Sequence, residues 1–186
     1  MRRPLLVVVG VLTAVGLSAT ACGSSPAATT TTSGGASTTT AASTGSSTTA
    51  ASGSAPALPA VHGASDLQHE PSIAAGSAPA PTQLETKDLV AGTGTVATMS
   101  STVKVQYVGA NYATGKDFDA SWTDSGPIPF SLSQVVPGFA QGITGMKVGG
   151  RREIVIPPAL GYGAAGNGPV GPNETLVFVV DLLAVQ

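Results

Sequence analysis

The sequence predicts an α+β fold: an antiparallel sheet of about five strands around one short helix. Three observations lead there. Segments with the period-two spacing or β-branched composition of strands recur after residue 83. A single stretch, VVPGFAQGITGM, carries helical spacing instead. Every Trp, Tyr and Phe lies at position 107 or later, so only the C-terminal part of the 186-residue chain can build a sizeable core.

The elements follow in order. QLETKDLVAG reads as a strand ending at Gly92 and Gly94. TVKVQYVGANY puts Val103, Val105 and Tyr107 on one face. A turn around Thr114-Gly115 connects it to DFDAS as a hairpin would. PIPFSL, with two prolines, suits an edge or irregular strand. Pro137 fits the first turn of a short helix, where a missing N–H costs little. Phe139, Ile143 and Met146 then share one helical face. Gly149-Gly150 turns the chain into RREIVIP, which aligns Ile154 and Ile156. TLVFVVDLLAV, rich in β-branched residues, is the strongest strand signal. These elements make one domain, residues 83–186, of roughly 100 residues.

The N-terminal part is of another kind. Arg2 and Arg3 precede an apolar run, Leu5 to Leu17, too short for a membrane span of about 20 residues. Small residues Ala19 and Ala21 then lead to Cys22, the single cysteine. Residues 1–21 read as a signal peptide, and SATAC resembles a bacterial lipobox with Ala19 in the usual Leu position. Lipidation of Cys22 is the expectation; ordinary secretory cleavage and a retained anchor are the alternatives. One cysteine makes no internal disulfide. Residues 22–82, rich in Ser, Thr, Ala, Gly and Pro, read as a disordered tether. The less repetitive HGASDLQHEPSIAAG reads as further linker, with a partner contact as the alternative.

Several chemistries are set aside. Net charge is −2, and Arg151-Arg152 is an isolated pair, so nucleic acid is not an expected partner. His62 and His69 both fall in the expected tether, which leaves the domain without an imidazole or thiol for nucleophilic catalysis or a His/Cys metal site. No cofactor or metal is expected. GYGAAG matches G-x-G-x-x-G, but prolines precede it and NGPVGPNE, which does not build a helix, follows. It reads as a loop around Tyr162.

What remains is a set of aromatics with one carboxylate among them. Tyr107, Phe118, Phe130, Phe139, Tyr162 and Phe178 are spread over the strands, helix and loop, and Asp119 follows Phe118. All could be core, and Phe178 reads equally as core or as part of a site. A carboxylate and a phenol set in apolar surroundings need hydrogen-bond partners or cost several kcal/mol. Asp117, on the other strand face, is expected in solvent.

The segments VQYVG, GKDFDAS, VVPGFAQGITGMKVGGRREIVIPPALGYG and GPNETLVFVVDLL resemble, in order and spacing, the macrolide-binding (FKBP) type of peptidyl-prolyl cis-trans isomerase. The resemblance covers about residues 83 to 186. It implies a curved antiparallel sheet wrapped on the short helix, with a hydrophobic cup between them. Tyr107, Phe118, Phe130, Val135, Val136 and Phe139 are then the cup's lining and Asp119 its lone carboxylate. Tyr162 offers its hydroxyl and Val136 its backbone N–H to ligand carbonyls. Phe178 closes the floor, and Val170 sits at the tip of a rim loop. Phe139 stands where many members have Trp, and SLSQVV and NGPVGPN are slightly short. The implied activity is isomerisation of X-Pro bonds in exported polypeptides by a monomer, aiding folding outside the cytoplasm. Proline-containing polypeptides are the expected partners, macrolides are expected inhibitors, and the lipid on Cys22 links the protein to the outer face of the cell membrane. A catalytically weak binding module or chaperone on the same fold is the alternative function; a stalk with the domain as its cap is a third.

Overall fold

A computed structural model describes residues 58–77, 79–124 and 126–186. The expected signal segment, Cys22 and most of the expected tether lie outside the described residues. The strands are β1 (Val61–His62), β2 (Ser72–Ile73), β3 (Glu85–Val90), β4 (Thr102–Asn111), β5 (Asp117–Ala120), β6 (Ile128–Ser131), β7 (Arg151–Ile156) and β8 (Leu176–Val185). The helices are α1 (Ser121–Asp124) and α2 (Pro137–Ile143), with 3-10 turns at Leu132–Gln134 and Pro158–Leu160. GYGAAG follows the second of these turns and opens no helix.

Strands β3 to β8 form one antiparallel sheet in the order β3-β7-β8-β4-β5, with β6 pairing along the first half of β4. The α+β architecture read from the sequence holds, with six strands rather than about five. β5 and β6 lie one after the other along the same edge of β4, and α1 turns the chain between them.

Alternation along the central strands divides the apolar residues between two faces. Val103, Val105 and Tyr107 of β4, Ile154 and Ile156 of β7, and Phe178, Val180 and Leu182 of β8 pack with α2 in the larger core. Val108, Ala110, Val155, Val177 and Val179 point the other way and form a second cluster. The helix lies close to β7 because Gly138 and Gly142 carry no side chain. A Cβ at either would stand 2.3 or 2.4 Å from a methyl of Ile156 or Ile154. Arg152 fixes the helix end from below, donating to the carbonyl of Gly142 at 2.9 Å while Asp88 of β3 holds its guanidinium. Pro137 is at the first helical position, as its missing N–H favours.

The second cluster corrects the sequence reading. Residues 58–77 do not behave as linker: β1 and β2 pair as a small antiparallel hairpin that lies on the back of the sheet. Leu58, Val61 and Ile73 are its apolar anchors. Three isolated aliphatics among polar residues carry no period, so only the sheet face they cover explains their order. His62 is therefore on β1, and His69 pairs with Asp66 at 2.7 Å, both on the face away from α2. Arg151, fully buried, makes two hydrogen bonds to Asp181 on β8 and donates to the carbonyls of Gly63 at 2.6 Å and His69 at 3.3 Å. Its charge is neutralised within the sheet and its remaining donors hold the hairpin down, as a buried ion requires.

Glu153 lies between Arg151 and Val155 on this covered face, 1% exposed, and its Oε1 has no hydrogen-bond partner. Burial pushes its carboxyl up from 4.5 to about 7, against a smaller opposing pull from Lys87. The folded chain thus keeps a proton that the unfolded chain releases near 4.5. The stability this proton contributes is complete below that pH and is lost as pH rises through about 7. Denaturant melts from pH 4.5 to 8 are expected to show wild-type stability declining relative to Glu153→Gln. Parallel curves for the two proteins would assign the slope to another group.

Candidate functional site

The site is built where β4, β5 and β8 meet α2. Tyr107, Phe139 and Phe178 pack edge-on or tilted, with ring centroids 5.1 to 6.3 Å apart, and are all but fully buried. These are favoured aromatic geometries. Phe130 of β6 closes one side, 5.8 Å from Tyr107 and 5.9 Å from Phe139. Val135 and Val136 lead into α2, and the Val136 carbonyl accepts from the N–H groups of Phe139 and Ala140. Phe130 and Val135 lie just below the surface at 8% and 9% exposure, whereas Phe118, Asp119 and Tyr162 are half-buried. The cup expected from the sequence is thus a buried aromatic floor bordered by a half-buried rim.

A β-bulge places the two rim residues of β5. Gly109 pairs with Asp119 and Ala110 pairs with Asp117, so Phe118 has no partner across the ladder. Strict alternation would send Phe118 and Asp119 to opposite faces; the extra residue re-aims them. Phe118 packs edge-on against Phe178 at 5.6 Å, and Asp119 accepts a 2.6 Å hydrogen bond from the Tyr107 hydroxyl. Asp117, before the bulge, is exposed, as expected from the sequence. Gly109 is what lets the rings close: a Cβ there would be 2.7 Å from Phe178 and 2.9 Å from Phe118.

The polar groups of the cup are few. The bond from Tyr107 is charge-assisted and holds the carboxylate against the aromatic floor. The Tyr162 hydroxyl is buried and has no hydrogen-bond partner. Desolvation first, and then the Asp119 carboxylate, push its pKa up to about 12. The amide of Asn167 pulls slightly the other way without making a hydrogen bond of good geometry. Tyr162 is thus a neutral O–H donor throughout the physiological range.

The structure brings together Tyr107, Phe118, Asp119, Phe130, Val135, Val136, Phe139, Tyr162 and Phe178, spread over more than 70 positions of sequence. Val170 differs from expectation. Its backbone pairs with Asn167 across a tight turn whose exposed tip is Gly168-Pro169, and its side chain is 2% exposed in the main core. The turn directs it inward, so it supports the cup instead of presenting at the rim. Sequence reasoning missed Ser121. Its buried hydroxyl oxygen accepts from the Tyr107 N–H at 2.9 Å and donates to Gln106 Oε1. It replaces the ladder partner that β5 no longer supplies once the chain turns into α1. A serine directly after a strand is too common to have signalled this.

Comparison with known proteins agrees with this geometry. Residues 94–183 match the family model for FKBP-type peptidyl-prolyl cis-trans isomerase. An FK506-binding protein of Streptomyces anulatus is 51% identical over 109 residues, 56% of this chain and 88% of that protein. The outer membrane protein MIP of Legionella longbeachae is 38% identical over 107 residues, 57% of this chain and 46% of that one. The crystal structure of FkpA from Escherichia coli superposes with a TM-score of 0.54 at 44% identity, over 56% of this chain and 49% of that chain. In sequence, sheet topology and helix placement alike, the chain belongs to the FKBP-type peptidyl-prolyl cis-trans isomerase family.

Proposed function

We propose that this isomerase acts on X-Pro bonds of exported polypeptides, with the aromatic cup as its active site. The observation that carries the reading is the buried Tyr162 hydroxyl, a neutral donor without an acceptor at the rim of an apolar cup. A buried unmade hydrogen bond is unfavourable, and a peptide carbonyl at the rim would complete it.

The chemistry needs no nucleophile. Rotation about the X-Pro bond is opposed by amide resonance, a barrier of about 18–20 kcal/mol, and takes tens to hundreds of seconds unaided. The twisted transition state has lost resonance and carries a less polar carbonyl than the planar amide. A dry aromatic floor of Tyr107, Phe139 and Phe178 favours that state over the well-solvated ground state. The proline ring sits over Phe139, and Phe130 and Val135 flank it. Tyr162 and the Val136 N–H hold carbonyls on either side of the bond, so that binding of the flanking residues fixes the twist. Asp119, anchored by Tyr107, polarises the wall beside Phe118 and transfers no proton. Macrolides whose carbonyls reach the same two donors would compete for the cup.

Asp119→Leu removes the carboxylate and leaves the Tyr107 hydroxyl without its acceptor. It is expected to lower kcat/KM roughly 10- to 100-fold, while Tyr162→Phe costs roughly 2- to 10-fold. The check is an isomerisation assay on a short peptide with an apolar residue before proline. Full activity in both variants, with the fold intact by circular dichroism, would place the active site elsewhere.

Export and anchoring complete the proposal. Arg2-Arg3, the apolar run Leu5 to Leu17 and the small residues before Cys22 support secretion with a lipid on Cys22. A relative named as an outer membrane protein is in keeping with that placement. The Ser/Thr-rich residues that follow Cys22 would hold a monomeric domain off the membrane. Expression in a bacterial host with labelled palmitate is expected to label the wild type and not Cys22→Ser. A labelled Cys22→Ser protein would rule out this lipid site.

A further inference from the structure

The hairpin of residues 58–77 lies wholly before the residues that match the family model, 94–183. Besides Arg151 and the valines of β7 and β8, it meets the β4–β5 hairpin. The Gly76 N–H donates to the Tyr112 carbonyl at 2.8 Å, and Gly76 lies so close over the Tyr112 ring that a Cβ would stand 2.3 Å from it. Gly115, with φ of 64°, lets the tip of the β4–β5 turn meet the backbone of residues 73–75. A Cβ there would be 2.6 Å from the Ala75 nitrogen. Beyond the bulge, Ala120 and Trp122 rest on the same back cluster as Leu58, Val61 and Ile73.

Phe118 and Asp119 therefore occupy the middle of a short segment whose two ends are both seated on the back of the sheet. The bulge leaves Phe118 without a ladder partner, so the backbone pairing alone fixes this segment weakly. Whatever holds Gly115 on one side and Ala120 and Trp122 on the other sets where the two rim side chains point.

We propose that residues 58–77 are a positioning strap of the isomerase site, clasping the β4–β5 hairpin from behind so that Phe118 and Asp119 stand at the cup. The strap touches no substrate and acts through those two residues. This inference rests on the reading of the cup as the active site.

The test uses the full chain with two substitutions in the strap and Asp119→Leu as the reference. Ile73→Asp places a charge in the apolar back cluster. Gly76→Leu pushes the strap off the Tyr112 ring at the edge of the back cluster and leaves the larger core around α2 untouched. Strap opening is read by fluorescence of Trp122, the single tryptophan, which borders that cluster. In either variant, kcat/KM is expected to fall roughly five- to tenfold at a temperature well below unfolding. In the Asp119→Leu background the same strap substitution is expected to cost clearly less than on the wild type, because only Phe118 is then left for the strap to position. A fall that multiplies independently on both backgrounds would make the strap a general stabiliser and overturn the proposal. So would full activity in a variant whose Trp122 signal shows the strap open. If Asp119→Leu itself is fully active, the reading of the cup fails first, and separately.

Discussion

Burial of β8 on both faces is the constraint from which the rest of the structure follows. All seven residues from Leu176 to Leu182 are buried, Asp181 among them. Antiparallel sheets commonly leave one face to water and then alternate apolar with polar. This central strand does not alternate, so each face needs a cover. One cover is α2, drawn close over β7 by Gly138 and Gly142. The other is the hairpin of residues 58–77. Without the second, Val108, Val155, Val177 and Val179 would face water and Arg151 would lose two of its acceptors. Each apolar side chain of that size contributes about 1.5–3 kcal/mol by burial, a large share of the 5–15 kcal/mol that holds an ordinary domain together.

The same constraint shapes the cup. Phe178 and Tyr107 lie on the central strands of the sheet, diagonal to each other across the β4–β8 ladder, where Tyr107 faces Val180 and Phe178 faces Gly109. The floor is therefore rigid by position. The rim differs: Phe118 and Asp119 belong to a four-residue edge strand with a bulge, and Tyr162 belongs to a turn. The polar groups proposed to orient a substrate are carried by these less secured elements. Local pairings compensate for that, chiefly the bond from Tyr107 to Asp119 and the bond from the Tyr107 N–H to Ser121. A carboxylate at the edge of an apolar cup would otherwise swing into water.

Much of this was legible in the sequence because it depends on local signals. Period-two spacing found β4 and β7, β-branched density found β8, and Pro137 with Phe139 and Ile143 located α2. The cup residues followed from a resemblance carried by several separated motifs, and the structure gathers them at one site. What was not legible depends on tertiary partners. The strap has three aliphatic anchors in a polar stretch, a pattern that cannot be told from linker until the face it covers is known. One clue was present and went unread. The unbroken apolar run LVFVV in β8 signals burial on both faces, and α2 accounts for only one of them. Arg151 next to Arg152 read only as an isolated basic pair. Its burial depends on Asp181, 30 positions away, and on carbonyls more than 80 positions away. The resemblance placed Val170 at the tip of a rim loop, whereas the tip is Gly168-Pro169 and the turn sends the Val170 side chain inward.

An isomerase without a nucleophile has only positioning and environment with which to lower its barrier, and each tenfold in rate needs about 1.4 kcal/mol of preference for the twisted amide. Preferences of that size are lost when the groups that supply them wander by about 1 Å. A cup assembled from a rigid floor and a loosely paired rim is therefore only as selective as its rim is still. Here the rim's outer side rests on residues that lie outside the family's matched span. Two proteins with the same three polar groups (Tyr107, Asp119 and Tyr162 here) would still differ in how firmly those groups are held if the segments behind the sheet differed, because the support here comes from outside the matched span. Differences in rate between members with the same cup then have a physical source beyond the lining residues, in whatever covers the back of the sheet.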